Sequence, residues 1–197
     1  FLWSRLCPSV EALASADPRR RFGAAFALSL LGPPPPHTLP VLCETLGSDD
    51  GDMRWAAEKI VLRLADRGAV QRALAELLRA GSPEQRKMAL YTLRGLSECT
   101  TEAEAAVLAA LDDPLASVRQ AAITCTPHLV ADRPRAAARL LAALEDPDER
   151  LRRGAAAALG ALGEPTAAVV TALRQAAAST DAALARAAAR ALRLLAV

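Results

Sequence analysis

The residue types that most often ligate metals or attack substrates are scarce in this chain. It has two histidines, His37 and His128, and four cysteines at wide, irregular spacings: Cys7, Cys43, Cys99 and Cys125. A metal site needs such ligands clustered, and no C-x-x-C motif is present. We therefore expect the cysteines to be reduced, buried thiols that pack as small hydrophobic groups.

Catalytic groupings are equally hard to find. No Ser/His/Asp or Cys/His set is visible in sequence, and the GALG segment from Gly160 to Gly163 is expected to end a helix rather than cradle a phosphate. We expect no catalytic residue, no cofactor and no metal ion. His128 is expected to be a helix residue that is either exposed or hydrogen-bonded. A catalytic set formed by side chains that are distant in sequence but close in space stays an open alternative.

Composition predicts an all-helical protein. The 197 residues are 52% hydrophobic but only 3% aromatic, so the core must be built from Ala, Leu and Val, and alanine favours helix. The net charge of +2, from 24 basic and 22 acidic residues, gives no strong field for nucleic acid or an anionic membrane. No apolar run approaches the roughly 20 residues of a membrane span, and no signal peptide is visible, so we expect a cytoplasmic protein. Whether residues precede Phe1 stays open.

One arrangement recurs along the chain. An anchor arginine is followed by small or apolar residues three, six, seven and ten places later, and the anchors are Arg21, Arg54, Arg86, Arg119 and Arg152. The same frame then reaches Ala185, and successive steps are 33, 32, 33, 33 and 33 residues. A period this constant indicates tandem repeats. Each repeat is predicted to have a first helix, which carries the anchor, and a shorter second helix, with breaker residues between them.

Because a two-helix unit cannot bury its apolar face alone, these repeats must stack into one solenoid. We predict a remnant second helix over 1–14, a terminal half repeat over 180–197, and five repeats between them: 15–48, 49–81, 82–113, 114–146 and 147–179. N-caps are expected at Ser82, Asp113 and Asp146, each followed by proline, and Gly163 is expected to form a left-handed C-cap.

The segments DPLASVRQAAITCTPHLV (113–130) and DPDERLRRGAAAALGALGEP (146–165) resemble the HEAT repeat family, in particular its short bacterial repeats named after the phycobilisome lyases. The resemblance covers 15–197 and implies an all-α fold, a right-handed α-solenoid or α-α superhelix. It also implies a hydrogen-bonded ladder between stacked repeats, formed by an Asp and the Arg six residues later. Asp113 with Arg119 and Asp146 with Arg152 match that spacing. The earlier repeats keep the arginine without this aspartate.

The family includes scaffolds, transport factors, bilin lyase subunits, DNA glycosylases and a di-iron hydroxylase, so the resemblance leaves the function open. The His-Glu pairs that the hydroxylase needs are absent. Second helices line the concave side of a HEAT solenoid, and here they mix both charges: Arg72, Arg79, Arg139, Arg174, Glu76, Glu102 and Glu104. Residues 82–113 hold three basic and six acidic residues, and a phosphate backbone would meet that negative block.

An apolar stripe distinguishes the N-terminal half. Positions one, five and eight after each anchor should face away from the core, because a helix turns by about 100° per residue. In the C-terminal half these positions are mostly polar. In the N-terminal half they hold Phe22, Phe26, Trp55, Leu62 and Tyr91. Exposed apolar patches usually mark interfaces, but an upstream segment, or Phe1 and Trp3, could instead cover the stripe.

These patterns predict a non-enzymatic scaffold that binds another protein, or associates with itself, through the outer face of its first repeats. Two alternatives stay open. One is a nucleic-acid-binding or DNA-repair protein. The other is a bilin-lyase-like enzyme subunit or chaperone, for which the chain shows no cysteine or aromatic cluster that could form a pigment pocket.

Overall fold

The computed structural model describes residues 11–96 and 98–196, and all regular structure in these ranges is helical. The chain forms two compact units, with the boundary after Leu96. The first unit contains α1 (Pro18–Leu30), α2 (Leu39–Thr45), α3 (Gly51–Val61), α4 (Arg67–Ala80) and α5 (Pro83–Gly95). The second contains α6 (Thr101–Ala109), α7 (Ala116–Leu129), α8 (Arg133–Ala142), α9 (Glu149–Leu162), α10 (Ala167–Ala177) and α11 (Ala182–Leu194). Most of the predicted remnant helix, residues 1–10, lies outside the described residues.

Each unit has two layers of helices. In the first unit the anchor helices α1, α3 and α5 pack side by side, and α2 and α4 form the second layer. In the second unit α7, α9 and α11 pack in the same way, with α8 and α10 as their second layer. The predicted first and second helices are therefore present, and the all-α class is confirmed. Across 11–96 and 98–196, no helix has both the length and the apolar character that crossing a bilayer requires.

The repeating frame of small and apolar residues forms the core. Its positions in α3, α7 and α9, or just beyond them, are all buried: Ala57, Ile60, Val61, Leu64, Ala122, Cys125, Thr126, Leu129, Ala155, Ala158, Leu159 and Leu162. The threonines at frame positions form hydrogen bonds within their own helices. The hydroxyl of Thr92 donates to the carbonyl of Met88 at 2.7 Å, and that of Thr126 donates to the carbonyl of Ala122 at 2.8 Å. A buried threonine in this frame therefore leaves no unpaired hydroxyl.

The frame predicts burial wrongly at two positions, Ala27 in α1 and Leu31 just after it, because both residues are exposed, Leu31 to 62%. The reason is visible at the equivalent position of α11. There Ala191 is covered by Gly160 of α9, the preceding anchor helix: a Cβ on Gly160 would lie 2.7 Å from the Cα of Ala191. Among the described residues α1 has no preceding anchor helix, so the same side of α1 stays uncovered.

Two of the three expected N-caps are also wrong. Asp113 and Asp146 lie before their helices, where their carboxylates accept hydrogen bonds from the backbone N–H two residues on, each at 2.9 Å. The aspartate that caps α9 is Asp148. Ser82 does cap α5, in a reciprocal arrangement with Gln85, and Gly163 ends α9 at φ 73°, as predicted.

The anchor arginines tie each first helix to the turn before it. In every anchor, Nη1 donates to a backbone carbonyl five or six residues earlier at 2.5 to 2.9 Å: Arg21 to Ser15, Arg54 to Ser48, Arg86 to Gly81, Arg119 to Asp113 and Arg152 to Asp146. The acceptor is a main-chain oxygen, so any residue type can supply it. This explains why the first repeats keep the arginine without the aspartate.

Some anchors also pair with a carboxylate that lies later in the chain. Asp146 accepts hydrogen bonds from Nε and Nη2 of Arg119, 27 residues earlier, at 2.7 and 3.1 Å. The two side chains are only 8% and 16% exposed, and the hydrogen bond from Arg119 is the largest cause that lowers the pKa of Asp146. In the first unit glutamates take this role, because Arg21 pairs with Glu44 and Arg54 lies 3.8 Å from Glu84.

Replacing Asp146 with Asn should cost about 1–3 kcal/mol of unfolding free energy at neutral pH, because it leaves the guanidinium of Arg119 poorly compensated in a shielded place. The folded-state pKa of Asp146 is lowered, so its stabilisation is present above the unfolded pKa of about 3.9 and is lost as the pH falls through the folded value. Urea unfolding at neutral and acidic pH should show the gap between wild type and variant narrowing on acidification. Glu76→Gln, in the exposed pair with Arg79, is the control; an equal loss there would contradict the assignment.

Two glycine-to-alanine substitutions should act in opposite directions. Gly160→Ala should destabilise the chain, because its new Cβ would lie 2.7 Å from the backbone of α11 at Ala191. Gly23 lies inside α1 with nothing within 4 Å of the added Cβ, so Gly23→Ala should stabilise by about 0.5–1 kcal/mol through helix propensity. Thermal melts of both variants check this, and a neutral Gly160→Ala would show that the two anchor helices do not pack this closely.

Candidate protein-interaction surface

The predicted stripe lies on the three anchor helices of the first unit. Phe22 and Phe26 lie on α1, Trp55 lies on α3, Leu62 ends α3, and Tyr91 lies on α5. Trp55 is 62% exposed and Phe26 is 43% exposed, whereas the other three side chains are half-buried. The α-helical register therefore brings the five residues to neighbouring helices, but they differ in how much apolar surface they offer.

On α1 the exposed apolar surface extends beyond the residues of the predicted stripe. The rings of Phe22 and Phe26 lie 6.2 Å apart in a tilted arrangement, and Leu30, four residues after Phe26, is 70% exposed. Residues four apart lie on the same helix face, so these three side chains form one apolar ridge. The sequence reasoning missed Leu30, although continuing the i, i+4 spacing beyond Phe26 would have found it.

Between α3 and α5 an open groove separates Trp55 from Tyr91. Met88 lines it between them, together with Arg54, Glu58 and Arg94. The Nζ of Lys59 lies 5.7 Å from the ring centroid of Trp55, and the guanidinium of Arg94 lies 6.0 Å from that of Tyr91. Each ring is therefore held beside a cation, which favours a defined orientation of a large, exposed apolar surface.

Leu62 has a packing role instead. A Cβ on Gly95 would lie 3.0 Å from both methyl carbons of Leu62, so the leucine lies directly against the end of α5. Only a residue without a side chain fits at position 95 without displacing Leu62. The candidate surface therefore reduces to the ridge of α1 and the groove of Trp55 and Tyr91, and Leu62 supports the helix pair beneath it.

Three residues that could do chemistry, Cys99, Glu104 and His128, line one open pocket of the second unit. His37 and His128 belong to different units and are both exposed, and within 11–96 and 98–196 no group of three or more His, Cys, Asp or Glu side chains is arranged so that it could hold a metal ion. Of the cysteines, Cys43 and Cys99 are half-buried, Cys125 is buried, and all three are free thiols, while Cys7 lies outside the described residues. Burial raises the pKa of Cys43 to about 11, and burial with the nearby charge of Glu104 raises the pKa of Cys99 to about 11.

These thiols should react slowly with alkylating agents at neutral pH, because a raised pKa leaves little thiolate. In the folded chain, the rate of iodoacetamide modification at Cys43 and Cys99 should keep rising as the pH approaches about 11. In the urea-unfolded chain it should level off nearer the ordinary thiol pKa of about 8.5. Site-resolved mass spectrometry measures both, and identical pH profiles for the folded and unfolded chains would contradict the assignment.

Comparison with known proteins supports the repeat architecture. A family model described as HEAT repeats matches residues 103–193, so the resemblance to HEAT repeats is confirmed there. No protein of curated function matches the chain. The structure is similar to a designed armadillo repeat protein in complex with the peptide (KR)4, at 17% identity and a TM-score of 0.61, covering 96% of this chain and 99% of that one.

Two natural proteins are similar as well. Importin beta matches at 16% identity and a TM-score of 0.60, over 96% of this chain and 30% of its own length. Human deoxyhypusine hydroxylase, solved in complex with glycerol, matches at 22% identity and a TM-score of 0.52, over 97% of this chain and 73% of its own. At these identities the similarity shows the fold class, an all-α repeat solenoid.

Proposed function

We propose that this chain, whose residues 103–193 are HEAT repeats, is a non-enzymatic scaffold that binds another protein through the outer face of its first unit. The observation that carries the proposal is the exposure of Trp55 and Phe26 on helices that need neither ring for their own packing. Large exposed aromatic side chains supply much of the binding energy of protein interfaces. The cytoplasmic location expected from the sequence stays a prediction.

The surface suits a protein partner in its chemistry as well as its shape. The apolar ridge of α1 and the Trp55–Tyr91 groove provide hydrophobic anchor points, and Arg54, Glu58 and Arg94 provide charges of both signs around the groove. An apolar centre with a mixed polar rim is typical of protein–protein interfaces. The similar designed armadillo protein binds a peptide, which fits the same class of function on this fold.

The alternative functions have less support. Two arginines of the second layer are already paired with acids, Arg79 with Glu76 and Arg139 with Asp112, so they are not free for phosphates. A nucleic-acid interface would need a continuous basic surface and rings to stack on bases. A pigment pocket would need an enclosed apolar cavity, whereas the Trp55–Tyr91 groove is open to solvent.

The test compares wild type with Trp55→Ala and Phe26→Ala in quantitative affinity capture with the intact chain, and in sedimentation for self-association. Proteins captured by wild type should fall by about thirtyfold or more with Trp55→Ala if the ring is an anchor of the interface. Because both rings are exposed, helicity and melting temperature should change little.

Leu115→Ala is the matched control, since Leu115 is an exposed apolar residue of the second unit at 41% exposure. Partners whose capture is lost with Trp55→Ala but kept with Leu115→Ala would identify the surface. Loss of a concentration-dependent dimer in sedimentation would show that the partner is a second copy. Unchanged capture and unchanged sedimentation in both aromatic variants would refute the proposal.

A further inference from the structure

A second groove lies on the outer face of the second unit, between α9 and α11. It has a volume of about 500 Å³ and is lined by small and apolar residues together with two arginines: Ala157, Ala161, Ala187, Ala191, Leu194, Arg186 and Arg190. The helices approach closely where Gly160 meets Ala191. Beside that contact the alanines are too short to fill the space between the helices, and this leaves the groove.

The groove offers apolar surface that the fold itself does not use. Leu194 is 61% exposed, and Ala157 and Ala161 are also exposed. These residues lie five or nine positions after Arg152 or Ala185, and helical periodicity places such positions away from the core side of the anchor helices. An exposed leucine beside a strip of methyl groups is a site where an aliphatic side chain of a partner can be buried.

The rim of this groove carries positive charge without compensation. Arg186, Arg190 and Arg193 are exposed, and none of their guanidinium groups forms a hydrogen bond or ion pair within the part of the chain that the structure describes. Helix α11 contains no acidic residue. The pKa of Asp181 is lowered chiefly by the backbone hydrogen bond from Leu184, and the nearby charge of Arg153, on the facing helix, lowers it further, so the charge of Arg153 is partly balanced.

We propose that the α9–α11 groove docks an acidic segment of a partner protein, with an aliphatic side chain against the alanines and Leu194 and with carboxylates on Arg186 and Arg190. Guanidinium groups bind carboxylates through two parallel hydrogen bonds, so these arginines would orient the segment as well as attract it. The proposal rests on the proposed function in one respect, that the ligand is a protein. It uses a different surface.

The lining favours a protein segment over nucleic acid. None of the six aromatic residues of the chain lies beyond residue 91, so the second unit has no ring on which a base could stack. The floor is apolar, and a phosphate backbone would place its charges against methyl groups there. Aliphatic side chains flanked by Glu or Asp match both the floor and the rim.

The experiment measures fluorescence anisotropy of a labelled helical peptide with two leucines four residues apart and glutamates on either side of them. The whole chain is titrated against it, and a peptide with Gln for Glu is the ligand control. Arg186→Gln combined with Arg190→Gln should lower the affinity about tenfold or more, and Ala161→Glu should do the same by placing a negative charge in the floor. Circular dichroism confirms that these exposed substitutions leave the fold intact.

Two further variants test whether a loss of affinity is specific to the α9–α11 groove. Arg174→Gln removes an exposed arginine of α10 that does not line the groove, and it should leave the affinity within about twofold. Trp55→Ala should also leave it unchanged, so the proposal for the first unit can fail without affecting this one. Oligothymidylate and phosphatidylserine vesicles are titrated as competing probes.

Weaker binding of the Gln peptide, together with loss in the double arginine variant, would support the proposal. It would be overturned if wild type bound neither peptide, if both peptides bound equally, or if the double variant kept full affinity. It would also be overturned if oligothymidylate or the vesicles bound more tightly than the Glu peptide and lost that binding in the same variant.

Discussion

Burial of small side chains between neighbouring anchor helices is the constraint on which this structure depends. A two-helix hairpin is too small to bury its own apolar face, and residues such as Ala122 and Ala155 are fully buried in the stacked helices. At Gly160 the requirement is at its strictest, because even one methyl group would meet the backbone of α11. Alanine-rich contacts of this kind bring helix axes close together and leave few rings to place inside.

The anchor arginines form hydrogen bonds to polar groups in the turns between the stacked helices. Turns between hairpins expose carbonyl groups that no helix satisfies, and a guanidinium has enough donors to bond such a carbonyl and a carboxylate together. Arg119 does both, with the carbonyl of Asp113 and the carboxylate of Asp146. The arginine is thus fixed by the turn that precedes its own helix, while the acid that reaches it can be Asp or Glu.

With the inner faces committed to packing, the outer faces are free to differ. In the first unit that face carries Phe26, Trp55 and Tyr91; in the second it carries alanines and unpaired arginines around Leu194. The sequence placed the aromatic stripe on the outer face because helical periodicity alone decides which side a residue occupies. It did not separate Leu62 from Trp55, because both lie on the outer side by angle and only the approach of α5 at Gly95 covers one of them. Leu30 was missed because it does not stand one, five or eight residues after Arg21, although it lies four residues after Phe26 on the same helix face.

The sequence by itself determined the helices, their pairing into repeats and most of the core, because these follow from a period of about 33 residues and from local helix geometry. Only the tertiary structure decided what depends on distances between helices: that Ala27 and Leu31 lie uncovered, that Asp146 bonds Arg119, and that a groove opens between α9 and α11. Periodicity fixes the direction of a side chain about its own helix axis. How near the next helix comes, and so whether a side chain is buried, depends on the sizes of residues on both helices together.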